Sequence, residues 1–401
     1  MLLPEDSELP VDPQEQQYQG ECSNCGSTNI EPDRNIMDTW ATSSVTPQIN
    51  YRWGEDDSRE SHLAPMTMRP QAHDIIRTWA FYTMVKAYYH QNDIPWKDIM
   101  ISGHVLYKKG QKISKSKGNS KSGPEQLIEQ YSADVIRYWT AGAKLGSDCY
   151  FEENEFKIAA KLVTKIFNAS KFALMHLESL KKFDDSKIGV PIDKAMMSRL
   201  GRTSSRADQY LSKYEYSLAL SEIEGFFWDF CDNYMELIKH RIYNPQEHGE
   251  GAGESVQNAL YAIVYGVIRM LAPFIPHITE EIYQAYFRER EGHISVHLAD
   301  YPTGQRYPVD EQAEKVYEEA CQFVAVVRKF KTEQRLSLNT ELSEIQYLNK
   351  QFGLYKEAEN DIQRAARCAN VKAMDSLDEI GNLVEFEGKQ LRIGNPIEEE
   401  A

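Results

Sequence analysis

The sequence predicts an α/β segment followed by an all-α helix bundle and a small α/β cap, and three observations carry that reading. First, "HDIIRTWAFYTMVKAYYH" places Ile75, Ile76, Trp79, Tyr82 and Val85 close to a helical repeat, and a short apolar run then leads into a Gly-Lys loop. Helix, strand and loop in that order form an α/β signature. Second, residues 155–183, 192–211, 217–243 and 255–287 are long apolar-periodic stretches separated by Gly, Pro and Asp clusters, as in a four-helix bundle. Third, the tail alternates a helix (312–336), the strand-like "SEIQYL", a helix (356–368) and "NLVEFEGKQLRIG", two strands around Gly388. The expected domains are 1–150, 151–305 and 306–401.

Taken in order, the first fifty residues read as irregular, because Pro4, Pro10, Pro13 and Pro32 punctuate them and no helical period is sustained. Cys22 and Cys25 in "CSNCG" have the spacing with which two thiolates grip one zinc, but tetrahedral zinc needs four ligands and no second pair is present in the sequence. A complete metal site is therefore not expected; the turn is either a simple knuckle or half of a zinc site whose other ligands lie outside the sequence. Cys149, Cys231, Cys321 and Cys368 stand alone and read as buried thiols. The runs 99–101 and 105–107 read as a buried strand feeding a functional loop. Ser122 and Glu125 suggest a capping box with Pro124 in the first turn, after which Leu127, Ile128, Tyr131, Val135, Ile136 and Trp139 share one stripe. "NPIEEEA" is an acidic end, expected to be solvated and disordered.

A chain of 401 residues, 41% hydrophobic and 26% charged, suits two or three globular domains. It holds no apolar run of the roughly 18 residues that a membrane helix needs, and "MLLPEDSELP" turns acidic where a signal peptide stays apolar. A cytoplasmic protein with no membrane partner is expected. A net charge of −16 argues against nonspecific attraction to nucleic acid, so such a partner has to be met by local basic patches.

The strongest such patch is "KISKSKGN", residues 112–119. From His104 to Gly123 there are six lysines and no Asp or Glu. Ser114, Ser116 and Gly118 let a backbone approach an anion closely, and Lys112 and Lys115 can set ammonium groups on it, which suits a polyphosphate. The plain alternative is an exposed lysine-rich loop.

Context decides between them. Lys112-Ile113-Ser114-Lys115-Ser116 resembles the Lys-Met-Ser-Lys-Ser signature of the class I aminoacyl-tRNA synthetases, with isoleucine for methionine. "NIMDTWATSSVTPQI" (35–49), "RPQAHDIIRTW" (69–79) and "LAPFIPHITEEIY" (271–283) are similar to further blocks of that family, in the family's order. The Thr-Ser-Ser-x-Thr-Pro ending points to its valyl branch, archaeal type, and the chain resembles the C-terminal part: half of a class I Rossmann-like catalytic domain, then the anticodon-binding bundle and the cap.

The resemblance implies ATP with Mg2+, valine and tRNA(Val) as substrates and partners, with zinc left open. Lys115 would stabilise charge on the α,β-phosphates as the valine carboxylate attacks, with Lys112 assisting and Ser114 and Ser116 positioning the loop. His104 would face ATP. Trp40, Trp79 and Ile75 would enclose the branched side chain, and Asp74 would hold the substrate ammonium or a ribose hydroxyl. Ala72-His73 stand where relatives often have Gly-Phe. Arg137, Lys144, Lys161, Lys165, Arg269, Arg328, Lys329 and Lys331 are candidate tRNA phosphate contacts. The family's His-Ile-Gly-His signature and its editing domain do not occur in these residues, so the expected molecule is a fragment or subunit that works with a separate N-terminal half. The alternatives are an isoleucyl or leucyl enzyme and a noncatalytic tRNA-binding module.

Overall fold

The computed structural model describes residues 4–397 except 17, 36–37, 56, 109–110, 114–122 and 387, with backbone alone at 57, 108, 112, 124 and 386. These residues form two units, Met1–Ser102 and Gly103–Ala401.

In the first unit the region expected to be irregular contains two short helices, α1 (Thr39–Ser43) and α2 (Thr46–Tyr51). Local chemistry starts them rather than periodicity: Asp38 accepts the Trp40 N–H at 3.0 Å, and Pro47 occupies the first turn of α2. After α3 (Asp57–Leu63), strand β1 (Met66–Ala72) leads through a 3-10 turn (His73–Ile75) and a π turn (Ile76–Ala80) into α4 (Phe81–Gln91), then β2 (Trp96–Ser102). The expected helix over 73–90 is thus present with a π turn at its start. Strands β1 and β2 pair in parallel, Met66 opposite Trp96 and Ala72 opposite Ser102. The expectation of a buried strand at 99–101 needs correction, since Ile99 is 42% exposed. A parallel strand is buried when layers cover both faces and neighbours flank both edges; among the described residues β2 pairs with β1 alone.

In the second unit β3 (Val105–Lys108), β4 (Gln111–Lys112) and β5 (Cys149–Tyr150) form a sheet in the order β4-β3-β5, antiparallel then parallel. The single stripe expected after Gly118 is two helices, α5 (Pro124–Tyr131) and α6 (Ala133–Gly142), because Ser132 at φ 80° turns the chain between them. Ser122 lies outside the described residues; Gly123 occupies the cap and donates its N–H to Gln126 Oε1 at 3.1 Å, so Gln126 rather than Glu125 reaches back.

The four expected bundle helices appear as α7 (Glu153–Met175), α8 (Pro191–Leu211), α9 (Tyr216–Asp229) continued through a π turn into α10 (Met235–Tyr243), and α11 (Ala252–Leu271). The fourth stretch stops at Leu271 and restarts as α12 (Pro276–Ile282) and α13 (Arg288–Glu291), since Pro276 removes a backbone donor and is tolerated only in a first turn. Helix α11 is the axis of the core, with Ala259, Leu260, Ile263, Ile268 and Met270 all fully buried. Helix α14 (Glu311–Glu333) precedes β6 (Leu342–Leu348), α15 (Glu359–Ala366), β7 (Cys368–Met374), β8 (Asn382–Phe386) and β9 (Lys389–Ile393), in the sheet order β7-β6-β9-β8. Gly388, at φ 77°, makes the β8–β9 turn possible. Strand β7 was not expected, because "CANVKAM" is mostly exposed and lacks an apolar alternation.

One buried polar cluster ties the bundle to this sheet layer. Arg241 on α10 donates from Nη1 and Nη2 to Asp193 of α8 at 2.6 and 2.7 Å, and its Nε stands 3.2 Å from Asp361 of α15. Tyr234 and Ser255 also donate to Asp193, at 2.7 and 2.5 Å. The guanidinium is forked onto Asp193, so the two carboxylates outweigh burial and hold Arg241 charged, whereas at Asp361 burial wins and the carboxyl is pushed up to about 6. Among the described residues no helix is long and apolar enough to cross a membrane.

Candidate active site

The phosphate-loop candidates belong to the second unit. Gly103 approaches residue 147 so closely that a Cβ would meet the Ser147 carbonyl oxygen at 2.1 Å, so only glycine fits before His104. The His104 N–H donates to Asp148 Oδ1 at 2.7 Å, and its carbonyl accepts the Cys149 N–H at 2.9 Å. The half-buried His104 is thereby fixed at the head of β3. The chain leaves along β3 and returns along β4, where Lys112 stands opposite Leu106 and the Ile113 N–H reaches the Val105 carbonyl at 3.5 Å. A hairpin thus delivers the backbone of Lys112 to the mouth of the loop. The Lys112 side chain and all of Ser114, Lys115 and Ser116 lie outside the described residues.

The substrate-side candidates belong to the first unit. Trp79 sits in the π turn, and its Nε1–H donates to the Ser43 carbonyl of α1 at 2.7 Å, which brings the helix carrying Trp40 against the turn carrying Trp79. Lys86 reinforces the junction by donating to the Ala41 carbonyl at 2.5 Å. Gln91 Oε1 accepts from Gln48 (3.0 Å) and Tyr51 (2.6 Å), and Gln91 Nε2 donates to Glu60 at 2.9 Å. Trp40, Ile75 and Trp79 are half-buried and Asp74 is exposed, so Asp74 carries no burial cost.

Sequence reasoning missed Arg69. This residue on β1 is 5% exposed, and its guanidinium carbon lies 3.3 Å from the centroid of the Trp79 ring and 4.9 Å from that of Trp96. Its signal was a charged residue two positions before Gln71, hence on the same strand face, in a segment whose neighbours are apolar.

Cys22 and Cys25 form a tight turn in which the Gly26 N–H reaches the Cys22 carbonyl at 2.8 Å. Amides of the turn and the neighbouring thiol lower the Cys22 pKa. Among the described residues no third His, Cys, Asp or Glu joins them in a metal-binding group.

The structure gives several of the tRNA-contact candidates partners within the chain. Arg137 donates to the Pro273 and Phe274 carbonyls at 2.7 and 3.1 Å, Arg269 to that of Asp300 at 3.1 Å, and buried Lys331 to those of Ala366 and Leu338 at 2.9 and 3.2 Å. Arg328, Lys329 and Lys165 face Glu236, Glu333 and Asp232 at 3.3, 3.9 and 3.9 Å. Lys144 and Lys161 are exposed.

Comparison with known proteins places these elements. The family described as tRNA synthetases class I (I, L, M and V) matches residues 8–152, and the anticodon-binding domain of tRNA ligase matches 193–346. The valine–tRNA ligase of Wolbachia sp. subsp. Brugia malayi (strain TRS) is 38% identical over 371 residues, 90% of this chain and 42% of that protein. The chain belongs to the class I tRNA synthetases, and it is similar to part of the valine–tRNA ligases. The valine–tRNA ligase of Rickettsia felis is 39% identical over 394 residues, covering 95% of this chain and 45% of its own. The chain thus spans about two-fifths of the length of the curated relatives it matches. Among solved structures, the agnB2 LeuRS of Agrobacterium radiobacter K84, determined with tRNA and LeuAMS, superposes with a TM-score of 0.56 at 17% identity. It covers 82% of this chain and 37% of its own, a likeness of fold alone.

Proposed function

We propose that this chain takes part in ATP-dependent ligation of valine to tRNA(Val) through valyl-adenylate, working together with polypeptide equivalent to the remaining length of its relatives. The observation that carries the reading is the string Lys112-Ile113-Ser114-Lys115-Ser116, whose first residue ends strand β4 of the β3–β4 hairpin, within a chain similar to named valine–tRNA ligases over nine-tenths of its length. Lys115 stabilises the charge developing on the α,β-phosphates of ATP, Lys112 assists, and Ser114 and Ser116 position the loop. Mg2+, when bound with ATP, would supply further charge neutralisation. His104 faces the nucleotide. Trp40, Ile75 and Trp79 enclose the valine side chain, and Asp74 takes its ammonium or a ribose hydroxyl. On this reading residues 1–150 form part of a Rossmann-like catalytic domain, 151–305 the tRNA anticodon bundle and 306–401 an α/β cap.

The test is valine-dependent pyrophosphate exchange by this chain assembled with that remaining polypeptide. Exchange with valine above isoleucine and leucine is expected, and Lys115→Ala is expected to lower the rate about 10²–10³-fold, the cost of losing one preorganised charge-stabilising donor. No exchange from folded components, or a preference for leucine or isoleucine, overturns the proposal. Binding of tRNA(Val) without adenylate formation assigns the chain to the noncatalytic alternative.

A further inference from the structure

A buried guanidinium ordinarily faces a carboxylate, because an unpaired internal charge is costly. Arg69 departs from that rule. It is 5% exposed, its Nε and Nη2 find no acceptor, and no carboxylate among the described residues pairs with it. Burial alone accordingly lowers its pKa to about 10. What the guanidinium has instead is a ring: Trp79 at 3.3 Å, with Trp96 on β2 further off at 4.9 Å. Trp79 is thus gripped twice, by the Ser43 carbonyl at its Nε1–H and by a cationic plane on its face. A π turn, whose wider winding lets a side chain leave the regular helical repeat, presents it to both.

We infer that Arg69 is a positioning residue which fixes the plane of the Trp79 indole and thereby sets the width of the amino-acid pocket. The inference rests on the proposed role of Trp79 as a wall of that pocket. The guanidinium suits the task because it is planar, stacks on aromatic faces and is weakly hydrated, whereas a lysine ammonium offers no plane. With no carboxylate pulling on it, the whole guanidinium is available to the ring. It does not touch the substrate; it acts through the indole.

The test uses the assembled ligase with Arg69→Gln, Arg69→Lys, Trp79→Phe, Trp79→Ala and the double variant Arg69→Gln/Trp79→Ala. In valine-dependent pyrophosphate exchange, Arg69→Gln is expected to raise the KM for valine about 3- to 30-fold, the range of a desolvated cation–π contact. The KM for ATP should stay within about twofold, and discrimination against isoleucine should fall. In the Trp79→Ala background, where no ring remains for the guanidinium, the same change should add less than about twofold, since residues acting through one another are not additive. Equal changes in both KM values, or full additivity, overturn the inference in favour of plain packing. Loss of valine affinity in Trp79→Phe but not in Arg69→Gln overturns it as well. Insensitivity of valine KM to Trp79→Ala strikes the pocket role of Trp79 itself.

A second measurement stands apart from activity. In the 5-fluorotryptophan-labelled protein, the 19F resonance assigned by Trp79→Phe should shift and broaden in Arg69→Lys. An unmoved resonance in a folded variant shows that the ring is held without Arg69 and overturns the inference.

Discussion

Replacing Arg241 with methionine keeps side-chain length and removes the one positive charge facing two buried carboxylates. Asp193 is 0% and Asp361 4% exposed, so neither can turn to water. Breaking a buried pair from one side costs about 3–5 kcal/mol. The loss should not double for two partners, because Asp193 keeps the Tyr234 and Ser255 hydroxyls and Asp361, already pushed up to about 6, can take a proton. For a unit of this size the melting temperature should fall roughly 6–20 °C. The pH dependence is a sharper check. A carboxyl whose folded pKa lies above its unfolded value contributes stability below the unfolded value of about 4 and loses it as pH rises through the folded one. Removing Arg241 raises the folded value of Asp361 further, so urea unfolding should show a larger loss at about pH 8 than at about pH 5. Removing all three charges (Asp193→Asn, Arg241→Met, Asp361→Asn) should recover most of the stability. A loss under about 1 kcal/mol, or one equal at both pH values, refutes the claim that two buried carboxylates depend on this guanidinium.

Three further substitutions probe other joints. Asp134, buried on α6, accepts the His277 and Ile278 N–H groups at 3.1 and 2.7 Å and so caps α12; Asp134→Ala should cost about 1–2 kcal/mol in urea unfolding. At Gly201 an added Cβ would meet the Tyr307 carbonyl oxygen at 2.2 Å, so Gly201→Ala should displace residues 304–307 from α8 and lower stability by about 1–3 kcal/mol, read as a drop in melting temperature. Burial together with the nearby His240, Arg241 and Arg364 holds His248 down to about 4, so its contribution is present above about 6.5 and lost as pH falls towards 4. His248→Gln should therefore flatten that part of the acid limb of the stability–pH curve, and an unchanged limb counts against the assignment.

Elements with a strong period were legible: α7, α8, α14 and the helix over 73–91 carry apolar faces that the alternation of residues states directly. Breaks were less so. Ser132 and Pro276 interrupt stretches whose apolar spacing runs on unchanged, because a backbone that turns for one residue leaves the stripe intact. Strand β7 was hidden for the opposite reason, its register being set by pairing with β6 rather than by its own composition. At the candidate site, motif residues such as Trp79 and His104 announced themselves by resemblance. Their supports did not: Asp148 lies 44 positions from His104, and Ser43 lies 36 from Trp79. A hydrogen bond to a backbone carbonyl leaves no mark on the residue that supplies it.

The two units are held by different physics, and this bears on where chemistry can sit. In the second, a continuous apolar cluster runs from α7 to β9 around α11, and the Arg241 guanidinium within it is forked onto Asp193. In the first, the buried apolar side chains among the described residues are Pro47, Tyr51, Ala80, Ala87, Pro95 and Trp96, while Ser44, Gln48, Arg69, Gln71 and Thr83 are equally buried. Its elements are joined by single polar ties to carbonyls and amides, each worth only about 0.5–1.5 kcal/mol net. Several atoms, Arg69 Nε and Nη2 and both polar atoms of the Gln71 side chain among them, are left without a hydrogen-bond partner. An interior of that kind gains little from closing on itself and has unspent donors and acceptors to offer. The proposed substrate residues therefore stand in the part of the molecule where binding can add the most to stability. Protection of the 39–102 amides from hydrogen exchange should accordingly rise on binding a valyl-adenylate analogue, while that of α11, already buried along most of its length, stays as it was.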